Sequence, residues 1–138
     1  MLRLTPEVRR QMIEHCLAAL PEEGCGLLGG TSDDPADATV CYPTRNVEAS
    51  ARLYTVDPLQ HLRADRDAEA RGLAIIGVFH SHTHTEAYPS PTDVAKAPDP
   101  AWHYVLVSLR YADPVVRSFR IVEGVVEEEP VTELAAQP

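Results

Sequence analysis

Cysteine is scarce and follows no pairing pattern: Cys16, Cys25 and Cys41 are an odd number with no Cys-X-X-Cys spacing. That excludes a disulfide framework and a thiolate zinc site, and it fits a reducing compartment. Basic charge is scarce as well. Twelve Lys and Arg stand against 21 Asp and Glu, a formal net charge of -9 with a pI near 5.0. A phosphate-backbone binder presents clustered cations, so a nucleic-acid partner is not expected. No apolar run approaches the roughly 18 residues of a membrane span, and no basic leader with an apolar core opens the sequence. The expected setting is therefore cytoplasmic and away from membranes. Repeats and domain linkers are absent too. At 138 residues the chain makes one domain, large enough to bury roughly two thirds of its unfolded surface without staples. The sequence neither requires nor forbids a homodimer.

In order, a short edge segment, Met1 to Leu4, precedes Thr5-Pro6-Glu7, which supplies an N-cap, a proline at the first helical position and an acid in the first turn. The helix it starts carries Val8, Met12, Ile13, Cys16, Leu17 and Leu20 on one apolar stripe and closes at Pro21. A short strand follows, Cys25 to Leu28, with glycines that admit a neighbouring backbone closely. Thr31 to Ala38 reads as a surface turn and Thr39 to Tyr42 as the returning strand. Arg45 to Tyr54 is polar and suits either a groove wall or a plain connector. Asp57-Pro58 repeats the cap-plus-proline start for a second helix, with Leu59, Leu62, Ala68 and Ala70 as packing positions and Gly72 just past its end. Trp102 to Leu109 alternates as a strand, and Arg117 to Val122 with Val125 to Val131 flank Glu123-Gly124 as a closing hairpin. Residues 132–138 are expected to form a flexible tail beyond a domain of residues 1–131. These elements predict a single α/β domain, a mixed sheet flanked by helices.

The chemistry concentrates between Ile75 and Val94. Leu73 to Phe79 is an apolar, β-branched run that reads as a buried strand, and its end delivers His80-Ser81-His82. Residues two apart on a strand share a face, so the two imidazoles project together about 6.6 Å apart while Phe79 and Ser81 face the other way. Two such imidazoles can share one zinc ion. Ser90-Pro91-Thr92-Asp93 then reads as a helix start, which folds the loop back and brings the Asp93 carboxylate to the strand end as a third ligand. Two His and one Asp leave a coordination position open, the mark of a catalytic zinc site. Blander readings accompany each part. Ser-X-X-Asp is also a capping arrangement, and a His-X-His pair also serves as a solvated rim. The combination at the C-terminal end of an apolar strand favours the metal site. His84 lies beyond the expected strand, as an outer or substrate-side residue, and His103 reads as a structural histidine. Cys25 reads as buried packing.

The pattern His80-Ser-His82, seven residues, Ser90, two residues, Asp93 resembles the signature of the JAMM (MPN+) zinc metallopeptidases. Pro21-Glu22-Glu23, followed by Gly24 to Gly30, is similar to the early Pro-X-Glu segment of that family. Without the resemblance, Glu22 and Glu23 read as a solvated acidic pair; with it, Glu23 is the matching position. The run from His80 to Ser90 and the later Trp102 to Ser108 are most similar to the bacterial Mec branch, which releases cysteine from a sulfur-carrier protein. Thr83 departs from the proline that many members carry there. The resemblance spans about Leu2 to Glu129 and implies a cytidine-deaminase-like JAMM/MPN fold. It also implies one zinc ion on His80, His82 and Asp93, Glu23 as general base and then acid, and Ser90 as donor to the oxyanion. The implied reaction, a step of cysteine biosynthesis, is hydrolysis of the amide joining cysteine to the C-terminal glycine of a ubiquitin-like sulfur carrier, whose tail could add as a strand to a sheet edge. A broader isopeptidase acting on protein conjugates and a non-catalytic MPN scaffold are the alternatives.

Overall fold

The computed structural model describes residues 1–135. Its elements run β1 (Leu2–Leu4), α1 (Pro6–Ala19), β2 (Cys25–Thr31), β3 (Ala36–Thr44), α2 (Pro58–Ala70), β4 (Ala74–His82), α3 (Pro91–Ala95), β5 (His103–Ser108), β6 (Val115–Val122), β7 (Val125–Glu129) and β8 (Val131–Glu133). They build one mixed sheet in the order β7-β6-β5-β4-β2-β3-β1-β8, the α/β arrangement expected. β4 sits inside it, parallel to β5 and antiparallel to β2.

Alternation along β4 divides the core. Phe79, fully buried, joins Val8, Met12 and Cys16 of α1 on one face, a burial worth about 1.5–3 kcal/mol for the ring alone. Val78 points to the other face, with Leu27, Tyr104 and Ala64 of α2, so His80 and His82, of the same parity, belong to the α2 face. Gly26 lets Phe79 in: a Cβ there would lie 2.4 Å from the phenyl ring and 2.6 Å from the Tyr42 carbonyl oxygen. Gly30, beside a register shift in the β2–β3 pairing, would set a Cβ 1.8 Å from the Asp37 carbonyl oxygen.

The helix starts form as the caps predict. The Thr5 hydroxyl accepts from Val8 N–H at 3.1 Å, and the Asp57 carboxylate accepts from Leu59 and Gln60 N–H at 2.9 and 3.3 Å, each such cap contributing about 1 kcal/mol. Glu123 (φ 50°) and Gly124 (φ 77°) turn the β6–β7 hairpin with two left-handed residues, as a two-residue turn requires.

Several expectations are corrected. β1 is not an edge strand, because β8 pairs beyond it in parallel, Leu2 opposite Val131 and Leu4 opposite Glu133. Thr132 and Glu133, assigned to a flexible tail, are therefore part of the sheet; the tail's last residues, 136–138, lie outside the described ones. Leu17 and Leu20 drop off the α1 stripe and are exposed. In α2, Leu59, Leu62 and Ala70 are exposed; of the expected packing positions only Ala68 is buried, joined by Ala64. β2 and β3 run longer than expected, confining the turn to residues 32–35.

His103 is the structural histidine anticipated. Its Nδ1–H donates to the Glu129 carboxylate at 2.5 Å, Ser118 Oγ donates to the same oxygen at 2.8 Å, and the Met1 amino group lies 3.0 Å from the other oxygen. Burial opposes the charge on Glu129, but these hydrogen bonds outweigh it and bring its pKa down to about 2, against about 4.3 in an unfolded chain. Because the folded value is the lower, this stabilisation is complete above the unfolded pKa and is lost as pH falls toward 2. Melting temperature is thus expected to fall more steeply between pH 5 and 2 in the wild type than in Glu129→Gln. Equal slopes would exclude the pair as a source of acid sensitivity.

Candidate metal centre

The site lies where β4 ends. Its antiparallel register with β2 pairs Cys25 with His80, Gly26 with Phe79 and Leu27 with Val78. Continued backwards by two residues, that register sets Glu23 opposite His82 on the same face. Two bonds hold the extension: Ser81 N–H donates to Gly24 O at 3.0 Å, and Gly24 N–H donates to Ser81 Oγ at 2.8 Å. A carboxylate and two imidazoles, far apart in sequence, thus share one patch of the α2 face.

Asp93 arrives from the other side. Ser90 caps α3 reciprocally with it: Asp93 N–H donates to Ser90 Oγ at 3.1 Å and Ser90 N–H donates to Asp93 Oδ2 at 2.9 Å. Capping and ligation, weighed as alternatives in the sequence, do not exclude each other, because the capping carboxylate also faces the two imidazoles. The same Oδ2 lies 3.2 Å from His80 Nε2 and 3.1 Å from His82 Nε2. One donor atom from each of His80, His82 and Asp93 falls within 4.8 Å of the others. Their burial is near complete for the histidines and partial for the aspartate.

This arrangement fits a cation. His82 Nδ1 lies 2.8 Å from the Glu86 carbonyl oxygen and must donate to it, which puts the lone pair of a neutral ring on Nε2, facing the carboxylate. Lone pair against carboxylate is unfavourable unless positive charge lies between them, as a second proton or a metal ion. Burial, the dominant influence, holds the His80 pKa below its ordinary value, which favours the neutral ring that metal binding requires. Burial works against the charge of Asp93, but the two imidazoles and the Ser90 N–H outweigh it and hold the carboxyl well below its usual range.

Glu23 is 4% exposed, and its Oε1 has no hydrogen-bond partner among the described residues. Burial pushes its pKa up to about 7, with His82 lowering it and Asp93 raising it. Its backbone, by contrast, is tied down: Glu23 N–H donates to Ser50 O at 2.7 Å and Asn46 Nδ2 donates to Glu23 O at 3.0 Å. Glu23 thus brings a carboxyl oxygen without a hydrogen-bond partner among the described residues, on a fixed backbone, to the face that carries the three converging donors.

The stretch Arg45 to Tyr54, read as groove wall or connector, does line cavities beside the centre through Ala51, Arg52, Leu53 and Tyr54; the individual parts of Asn46 and Tyr54 went unseen. Asn46 donates to Leu53 O at 2.9 Å, and its Oδ1 accepts from Glu48 and Thr55 N–H at 3.1 and 3.0 Å, which fixes the loop. Tyr54 stacks on His80 with ring centroids 4.1 Å apart at 18°. A lone aromatic in a polar stretch was the available signal. His84 is exposed, hydrogen-bonded to Thr83, and stays out of the donor set. Two cavities border the centre. One of about 580 Å³ runs from Tyr54 and Asp93 to Trp102; the other, of about 520 Å³, is lined by Glu23, His82, Ser90 and Arg52.

A family model described as prokaryotic homologs of the JAB domain matches residues 5–122. The CysO-cysteine peptidase of Mycobacterium tuberculosis (strain H37Rv) is 44% identical over 125 residues, 87% of this chain and 82% of that one. Desampylase of Haloferax volcanii is 31% identical over 112 residues, 78% of this chain and 80% of that one. The solution structure of protein DSY2949 from Desulfitobacterium hafniense has a TM-score of 0.89 at 37% identity, covering 99% of this chain and 94% of that one. The resemblance in the histidine and aspartate spacing thus extends over most of the chain, which belongs to the prokaryotic JAB-domain family and is a peptidase of the JAMM type.

Proposed function

We propose that this protein is a zinc peptidase that hydrolyses the amide between cysteine and the C-terminal glycine of a ubiquitin-like sulfur-carrier protein, a cytoplasmic step of cysteine biosynthesis. The observation that carries the reading is the convergence of His80 Nε2 and His82 Nε2 on Asp93 Oδ2, with Glu23, whose Oε1 has no hydrogen-bond partner among the described residues, on the same face. Two nitrogens and one carboxylate oxygen suit zinc with a position left open. Bound there, the ion would supply Lewis acidity and a water whose pKa is lowered to about 7.

The chain's own groups do the rest. Glu23, with a pKa of about 7, accepts a proton from the attacking water at a carboxylate oxygen and returns it to the leaving amine. Ser90 Oγ spends a lone pair on its cap with Asp93 N–H, so its proton is left to donate to the developing oxyanion, a contact worth about 3 kcal/mol. Tyr54 packs flat on His80 and holds that ring. The outer strands β7 and β8 lie three and four places from β4, which argues against a substrate tail added to a sheet edge. The cavity walled by Leu53, Tyr54, Val56 and Trp102 suits an extended glycine-ended tail instead.

A second reading, a broader isopeptidase, is favoured by the desampylase relative. Zinc-loaded enzyme incubated with a carrier–cysteine adduct and a carrier–lysine isopeptide, followed by intact mass, separates the two. Faster loss of cysteine is expected; cleavage of the isopeptide alone would transfer the assignment to the second reading. A non-catalytic scaffold predicts cleavage of neither.

A further inference from the structure

We propose that Arg52 binds the α-carboxylate of the released amino acid and thereby selects adducts whose leaving group is a free amino acid over isopeptides. The inference rests on the peptidase reading above and adds to it the residue that sets the leaving-group class.

The leaving amine must sit beside Glu23, which returns its proton, and Glu23 opens onto the cavity of about 520 Å³ that Arg52 also lines. In an amino-acid adduct the carboxyl carbon is only two bonds from that amine, about 2.5 Å away. Cysteine released there carries its negative charge into a space already bordered by the Glu23 carboxyl. Among the described residues, Arg52 is the one Lys or Arg on that cavity wall. Its guanidinium is exposed and enters no ion pair among the described residues, unlike Arg45, which pairs with Asp57, and Arg110, which pairs with Glu86. A guanidinium offers a carboxylate two parallel hydrogen bonds, and Lys cannot reproduce that fork.

The backbone places Arg52 relative to the base. Ser50 O accepts from Glu23 N–H, while Ser50 Oγ accepts from Arg52 and Leu53 N–H at 3.0 and 3.2 Å. Asn46 then ties Glu23 O to Leu53 O through one amide group. Base and guanidinium therefore ride on one hydrogen-bonded unit. A lysine side chain joined through its ε-amine carries no carboxylate near the scissile nitrogen, so it gains nothing from Arg52.

The test compares a carrier–cysteine adduct with the same adduct ending in cysteinamide, for wild type, Arg52→Ala and Arg52→Lys. Wild type is expected to favour the acid by about 10- to 100-fold in kcat/KM, the range for a charge-assisted pair. The ratio should collapse to near one in Arg52→Ala and recover partly in Arg52→Lys. Binding of the two adducts to zinc-loaded Glu23→Gln, with and without Arg52→Ala, should show the same preference in Kd without turnover. Equal handling of acid and amide by wild type would overturn the assignment to Arg52 and leave the peptidase reading standing. Loss of rate on both adducts with the ratio retained would assign Arg52 a merely structural role. Cleavage of neither adduct by wild type would overturn the peptidase reading itself.

Discussion

On the zinc-peptidase reading, Glu23→Gln is expected to keep one zinc per chain and to lower kcat by about 10³-fold, within the range that a positioned acid–base group contributes. Glutamine matches the shape of the glutamate and cannot take up or return a proton at neutral pH. Because Glu23 is not among the converging donors, elemental analysis should show the metal retained. The same variant should be more stable than the wild type when both are metal-free at pH 8. The folded pKa of about 7 lies above the unfolded value near 4.3, so burial favours the protonated acid. The resulting penalty is absent at pH 4, grows as pH rises toward 7 and then levels off, on the order of 3 kcal/mol. A neutral amide escapes the repulsion of burial at every pH. Retention of most activity by Glu23→Gln would remove it as the base, and an unchanged melting temperature at pH 8 would contradict the burial argument.

What the sequence exposed was local, and what it hid was long-range. His80, His82 and Asp93 were legible because a period-two strand and a cap-plus-proline helix start are written in consecutive residues. Glu23 was not legible that way. Its approach depends on the β2–β4 register, a pairing across more than fifty positions that no neighbouring residue announces, and only the family resemblance selected it over Glu22. The periodic stripe of α1 named Val8, Met12 and Cys16 correctly but overran at Leu17, turned about 100° around the helix from buried Cys16, and at Leu20, which lies past the end of the helix. In α2 the close contacts fall to Ala64 and Ala68, because small side chains let a helix approach the sheet while its leucines turn outward. β8 escaped notice because three residues with one β-branched apolar side chain carry too little pattern to mark a strand. Tyr54 and Arg52 lay in a stretch legible only as polar, since its path is fixed by the four hydrogen bonds of Asn46.

Substitution of Asp93 separates the cap that this carboxylate makes from the metal ligation proposed for it. Asp93→Ala is expected to lose zinc and to loosen the start of α3 together, because Oδ2 both faces the two imidazoles and accepts from Ser90 N–H. Asp93→Asn keeps an oxygen acceptor for the Ser90 N–H but removes the negative charge. It should therefore preserve slow hydrogen exchange at residues 90–94 and still weaken zinc binding by more than about 100-fold, beyond the loss that an outer partner of a ligand produces. Turnover should fall to background in both variants. The Ala variant should lose a further 1 kcal/mol or so of stability in the metal-free state, the usual worth of a cap. Zinc bound as tightly by Asp93→Asn as by the wild type would show that two imidazoles suffice and that Asp93 is a cap alone. Unchanged exchange in Asp93→Ala would instead show that Pro91, with its preset backbone angle, starts α3 without help from the carboxylate.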